Sequence, residues 1–303
     1  MTRTSAGART RDADPVTGTW RGCDGNVLAW EAFDGPGPLS VVFLHGGGQS
    51  RHSWRRAARA LQARGFPCLA FDLRGHADSD WIADGDYRLS RFQADLDLVL
   101  DNWARPAVVV GASLGGIVAL LSTGHGSPWV RGLVMVDTAP KLNAAEIERI
   151  IGFLGHGADA GFASPAAAAA HVQAFFTDSA VTTESIAKGL RPTGDGRWQW
   201  HWDVRVVSGE RNSVAVAHEA ELRECARRVR QPFLLVRAGA SELVTEDAVD
   251  DLKSCAPQLE VVWLPGAHHM ITGDDNLPFV DAAAPFLTRL RDGMSPSSSG
   301  TAP

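Results

Sequence analysis

The chain has 303 residues, room for one large domain or a domain with an insertion, and its 45% hydrophobic and 21% charged content is that of an ordinary water-soluble globular protein. A net charge of −6 without any basic block argues against a nucleic-acid partner. No apolar run approaches the ~20 residues a helix needs to cross a bilayer, which argues against a membrane span.

Residues 1–15 are polar and arginine-bearing and lack the apolar stretch of a secretory signal, so a disordered lead-in is expected. Cys23, Cys68, Cys225 and Cys255 are scattered with no C-x-x-C pair, which suits reduced, structural thiols in a cytoplasmic protein. Trp20 to Phe33 reads as a hairpin around Asp24-Gly25-Asn26 that adds antiparallel edge strands. Then strands and helices alternate. Leu39–Leu44, Phe66–Phe71, Ala107–Val110 and Leu133–Val136 are strands, with helices over Trp54–Ala63, Leu89–Trp103 and the segment after Ser113. These strands show no polar alternation, so both faces are buried, and the alternation implies a mostly parallel, twisted sheet with right-handed crossovers.

The rhythm breaks between residues 141 and 228, where helix-like pieces replace buried strands. It resumes with a strand at Pro232–Val236, a helix at Glu246–Ser254, a strand at Leu259–Leu264 and a helix at Leu277–Arg291. The predicted organisation is an α/β core of residues 16–140 and 229–292, a helical cap insertion of residues 141–228, and a disordered tail from 293 to 303. No internal repeat is visible.

Gly111-Ala112-Ser113-Leu114-Gly115 lies between a strand and a helix. In such a turn the serine sits at a strained apex with its hydroxyl exposed, and the following helix aims free N–H groups and its positive end at the serine oxygen. Side chains at Gly111 and Gly115 would collide with the neighbouring helix and strand. A serine nucleophile needs a base, an orienting acid and an oxyanion hole. His269, in Gly266-Ala-His-His-Met270, follows the last strand and suits the base, with His268 competing. Glu242 suits the acid that orients the histidine, and Asp137, after Met135-Val136, is the other candidate. Asp137 also suits a simple turn-capping role. The oxyanion donors would be the N–H of Leu114 and one from His45-Gly46-Gly47-Gly48, with Gly47 the better placed and Gly48 next to it at the substrate. No Gly-Lys-Ser/Thr follows those glycines, so they are not a phosphate loop.

Taken together, His45–Gly48, Phe71-Asp-Leu-Arg-Gly-His-Ala-Asp-Ser79, the Ser113 turn, Glu242 and His269 resemble the α/β-hydrolase fold family over roughly Val41 to Leu290. Arg197-Trp-Gln-Trp-His-Trp-Asp203 and residues 266–274 further resemble a bacterial branch of capped hydrolases whose members carry epoxide-hydrolase or peroxidase names. Three positions depart from that branch: Glu242 stands where Asp is usual, Ala77 where Gly is usual, and His268 where a small residue is usual.

The family's epoxide hydrolases and haloalkane dehalogenases attack with aspartate, so Ser113 favours acyl transfer instead. The chemistry expected is hydrolysis of a carboxylic ester or lactone. Carbon–carbon bond hydrolysis and cofactor-independent haloperoxidation or oxygenation on the same triad are the alternatives, with a non-catalytic binding protein behind them. Trp198, Trp200 and Trp202 alternate, so an extended segment would put them on one face. There they would either line the pocket or pin the cap to the core. Phe153, Phe162, Phe175 and Phe176 offer the same choice. The cap has no evident cluster of Arg or Lys, which suits a neutral substrate with an apolar body. No metal-ligand spacing and no dinucleotide fingerprint appear, so no metal or cofactor is expected, and the partner is a small molecule bound by a monomer or homodimer.

Overall fold

The computed structural model describes residues 14–156, 161–175, 182–209, 212, 218–267 and 276–294. The predicted lead-in and tail, His268, His269 and Phe176 lie wholly or largely outside these residues. A hairpin opens the fold: β1 (Val16–Arg21) pairs antiparallel with β2 (Val27–Phe33) around the 22–26 turn. Then come β3 (Ser40–Leu44), β4 (Cys68–Phe71), β5 (Ala107–Ala112) and β6 (Val130–Val136). A small ribbon of β7 (Leu190–Pro192) and β8 (Trp198–Trp200) stands apart, and β9 (Phe233–Ala238) and β10 (Leu259–Leu264) complete the main sheet. The eight strands of that sheet run in the order β1-β2-β4-β3-β5-β6-β9-β10. All pairs from β4 to β10 across it are parallel, while β1 and β2 are antiparallel, as the alternation and the hairpin predict.

Strands buried on both faces require helices on both. Helices α1 (Arg55–Ala63), α2 (Leu89–Trp103) and α3 (Leu114–Gly124) follow β3, β4 and β5. The inserted region carries α4 (Ala144–Gly155), α5 (Pro165–Phe175), α6 (Thr183–Ala187) and α7 (Arg205–Ser208), followed by α8 (Glu219–Arg228). Helices α9 (Glu246–Cys255) and α10 (Leu277–Met294) close the chain. One face of the sheet is covered by α2, α3, α8 and α9, the other by α1 and α10. Helix α2 shows why the pattern was readable: Leu89, Phe92, Leu96, Val99 and Leu100 recur at three- and four-residue spacing and are its buried apolar residues. Helix α8 lies in the stretch 141–228 yet packs on α3, and its Leu222, Cys225 and Ala226 join the sheet's own core.

Two differences from the predicted elements bear on the site. Strand β5 runs two residues further than its apolar run, because Gly111 and Ala112 continue the ladder against Met135 and Val136. The ladder therefore carries the chain rigidly up to Ser113. The β7/β8 ribbon lies where helix-like pieces are predicted: the tryptophan alternation marks β8 as extended, but its partner β7 is three residues with Pro192 and shows no period.

Trp54 secures the loop that follows β3. It is fully buried, its indole N–H donates to the Leu44 carbonyl at 3.0 Å, and its ring lies 4.8 Å from Phe43 and 5.1 Å from Phe279. Trp54→Ala should cost about 3–5 kcal/mol by urea unfolding. A loss below ~1 kcal/mol would show that the site collapses around the gap and that the anchor is dispensable.

Candidate active site

Ser113 joins β5 to α3 with φ 47° and ψ −119°, a conformation that non-glycine residues rarely adopt. The turn is held on both sides. The Ser113 N–H donates to the Val136 carbonyl of β6 at 3.2 Å, and its carbonyl accepts from Gly116 and Ile117 at 2.9 and 3.1 Å. Close backbone approach explains the flanking glycines. A methyl group on Gly111 would overlap the backbone of Gly115 and Gly116, and one on Gly115 would come within 2.6 Å of the Leu44 and His45 carbonyls. The strand, the helix and the loop after β3 thus meet with no space for side chains.

That loop, His45-Gly46-Gly47-Gly48-Gln49, borders Ser113; a methyl on Gly46 would sit 3.4 Å from the serine Cβ. Its N–H groups have distinct fates. Gly46 donates to the Gln49 side-chain oxygen at 2.9 Å, and Gly48, at φ +75°, donates to the His76 Nε2 at 3.2 Å. Gly47 and Leu114 line the cavity, and among the described residues no acceptor engages either N–H. The sequence reading assigns these two N–H groups to an oxyanion hole.

The two candidate acids occupy different settings. Glu242, in the loop after β9, is exposed and outside the cavity wall. Its charge is felt by Arg149 of α4, whose guanidinium is raised first by Glu146 and additionally by Glu242. Asp137 is fully buried directly after β6, at φ 46°. One carboxylate oxygen accepts the Ala238 N–H at 3.1 Å, from the end of β9 and not from the turn that follows Asp137. This carboxylate bridges two strand ends beside the serine turn. His269 and its neighbour His268 lie outside the described residues.

Above Ser113 is a cavity of about 250 Å³, walled mostly by the cap. Helix α4 supplies Ile147, Ile150, Phe153 and Leu154, and the segment after β8 supplies Trp202. Of the residues singled out for substrate contact, Gly48, Phe153 and Trp200 line this cavity. Trp198 does not: its backbone bridges to Phe162 inside the cap, because β8 begins there. Trp200 and Trp202 stack at 4.5 Å, so the predicted shared face exists for that pair. Both proposed roles are filled at once, since Trp202 also bridges to His76 of the core. Arg149 reaches the wall, but it is tied to Glu146 at 2.9 and 2.5 Å and lies over the Phe175 ring at 4.1 Å, which leaves the cavity predominantly apolar.

The Asp72–Ser79 motif braces the site from below. Asp72 accepts the Arg51 N–H at 2.6 Å, pairs with the Arg51 guanidinium, and accepts the Asp78 N–H at 3.1 Å. Ala77, at φ 46°, donates to the His201 carbonyl at 2.9 Å; its left-handed backbone explains why Gly is the usual residue there. Sequence reading had given no role to Gln49 or His76. Polar side chains inside an otherwise buried glycine loop and turn were the available signal, as was the i, i+3, i+7 spacing of Ile147, Ile150 and Leu154.

Comparison with known proteins places this site in context. A family model described as alpha/beta hydrolase fold matches residues 40–275. The chain is 32% identical to Esterase Rv0045c of Mycobacterium tuberculosis over 225 residues, 70% of each protein. The crystal structure of that esterase superposes with a TM-score of 0.70 at 26% identity, over 91% of this chain and 92% of that one. A 3-hydroxybutyrate-oligomer hydrolase of Cupriavidus necator is 25% identical over 84% of this chain and 89% of its own. The structure of E-2-(acetamidomethylene)succinate hydrolase shares the fold at a TM-score of 0.76 and 22% identity, covering 91% of this chain and all of that one. The chain belongs to the α/β-hydrolase fold family and is related to bacterial esterases and hydrolases. No helix among the described residues is long and apolar enough to cross a membrane.

Two buried histidines, His45 and His76, and the half-buried His201 lie around the glycine loop and make stability depend on pH. Burial, more than any neighbour, pushes His45 and His76 down to about 3 and His201 down to about 4. The folded protein holds them neutral, whereas the unfolded chain protonates them below its ordinary pKa of about 6.5. The unfolded state then binds more protons, so stability is greatest above that value and declines as pH falls toward 4. Burial also pushes Asp72 up to about 6, a contribution of opposite sign from a single group. Unfolding by urea at pH 7.5 and pH 5 should therefore show a loss at pH 5, about 2 kcal/mol for each such histidine before the Asp72 offset. Equal stability at the two values would mean that these imidazoles are protonated in the fold.

Proposed function

We propose that this protein is a serine hydrolase that cleaves a carboxylic ester or lactone of a small, largely apolar substrate through an acyl-enzyme on Ser113. The observation that carries this reading is the strained Ser113 beneath an apolar cavity, beside the N–H groups of Gly47 and Leu114, which no acceptor among the described residues engages. His269 is the proposed base. It removes the hydroxyl proton as Ser113 attacks the carbonyl, returns it to the leaving group, and then activates the water that releases the acid. The N–H groups of Gly47 and Leu114 stabilise the negative oxygen of each tetrahedral intermediate, where a pre-oriented donor is worth more than in water. Esterases and ester-oligomer hydrolases among the relatives support this choice over carbon–carbon cleavage or oxygenation. Apolar cap residues would hold the substrate's body and exclude bulk water.

For the orienting acid, the chain order serine, acid, histidine fits both Glu242 and Asp137, and burial and position favour Asp137. An exposed carboxylate near Arg149 is readily screened by water and free to move, whereas a buried carboxylate fixed between β6 and β9 is already oriented. Asp137→Asn should lower kcat by about 10³–10⁴, and Glu242→Gln should stay within a few-fold of wild type, in initial-rate assays. The reverse ranking would return the role to Glu242.

The test of the activity is hydrolysis of p-nitrophenyl esters from acetate to octanoate, alongside lactones, by wild type and Ser113→Ala. Turnover that disappears in the variant is the expected result, and the chain-length profile would size the cavity. Full turnover by Ser113→Ala would overturn serine attack in favour of substrate deprotonation.

A further inference from the structure

The three consecutive glycines of the loop after β3 have little orientation of their own, because glycine accepts nearly any backbone conformation. Yet an oxyanion donor must point within a narrow angle to act. Something outside the loop has to choose which N–H faces the serine. We infer that His76 is a positioning residue that does this, holding the N–H of Gly48 so that the N–H of Gly47 is the one presented to the oxyanion, and that it ties this setting to the seated cap. The inference rests on the acyl-transfer reading of Ser113.

The hydrogen bonds divide the work. Gln49 takes the N–H of Gly46 at 2.9 Å and His76 Nε2 takes that of Gly48 at 3.2 Å, which leaves Gly47 between two pinned neighbours. For Nε2 to accept, the ring must be neutral with its proton on Nδ1. The structure supplies that state: Nδ1–H donates to the Arg74 carbonyl at 2.9 Å, and the ring is fully buried against His45 at 5.0 Å. The backbone N–H of His76 donates to Leu73 at 3.1 Å, so the imidazole has little freedom to turn away.

The same residue is where the cap meets the core. His76 forms a β-bridge with Trp202, flanked by Ala77 N–H to the His201 carbonyl at 2.9 Å and Asp203 N–H to the Gly75 carbonyl at 2.7 Å. Trp202 returns to the loop through its ring: a methyl on Gly48 would lie 3.3 Å from the indole, and 2.7 Å from Leu154 of α4. Gly48 is therefore gripped by His76 through its N–H and by two cap residues at its Cα. Movement of the 200–203 segment would disturb both grips at once.

Three variants separate positioning from mere packing. A Gln side-chain oxygen reaches about as far as Nε2 and can accept from Gly48, whereas Asn reaches only about as far as Nδ1, and Phe fills the space with no acceptor. With p-nitrophenyl esters, His76→Phe and His76→Asn should lower kcat at least tenfold with KM within about twofold, and His76→Gln should restore most of kcat. The rate of Ser113 labelling by an alkyl fluorophosphonate, in which the serine oxygen bonds to phosphorus and fluoride leaves, should follow kcat. If His76→Phe does not fold, the contrast between Asn and Gln decides alone. Equal kcat in Asn and Gln variants, or a change confined to KM, would overturn the proposal while leaving serine catalysis intact. A wild type that neither hydrolyses esters nor is labelled would overturn the acyl-transfer reading, and this proposal with it.

Discussion

Three backbone segments converge at Gly111 and Gly115, and the rest of the site depends on that convergence. The end of β5, the first turn of α3 and the carbonyls of Leu44 and His45 approach so closely that a single methyl group would separate them. This contact forces the chain to reverse at Ser113 in a conformation that costs energy, roughly 1–3 kcal/mol for such a residue. The parallel ladder from β3 to β9 bears that cost. It fixes Ser113 through the Val136 carbonyl, brings the glycine loop over it, and delivers Asp137 alongside. Because the strands are parallel, their C-terminal ends lie along one edge, and residues more than a hundred positions apart share a site.

The polar framework beneath the loop has a second consequence. Arg51 and Asp72 tie the segment after the glycines to the turn after β4, while His76 reaches from that turn back to Gly48. Buried hydrogen bonds are costly to break without replacement, so a frame of this kind holds an orientation that apolar packing could not specify. The neutral histidines carry a price in acid, since His45 and His76 must remain unprotonated for Nε2 to accept from Leu73 and Gly48. Rigidity at the glycine loop and sensitivity to low pH thus share one origin.

The cap contributes shape and closure. Its apolar residues from α4 face the serine, and its stacked Trp200–Trp202 pair joins the inner wall to the core turn at 75–77. Among the described residues Arg149 is the one arginine or lysine at the wall, and it is matched by Glu146, which leaves the lining mostly apolar.

Much of this was legible in the amino-acid sequence, for local reasons. Runs such as Val41–Leu44 and Val108–Val110 mark strands buried on both faces, the three- and four-residue spacing of α2 marks a helix, and Gly-x-Ser-x-Gly between a strand and a helix marks the turn. Each of these is written in neighbouring residues. What tertiary structure decided is set by partners distant in sequence. Trp198 and Trp200 look equivalent in the chain, but of the two only Trp200 lines the cavity, while Trp198 bridges to Phe162 inside the cap. Glu242 and Asp137 are both plausible acids by spacing, yet one is exposed and the other is locked between β6 and β9. The role of His76 was invisible for the same reason: its partner is Gly48, 28 residues away, and hydrogen bonds across that separation leave no period in a sequence.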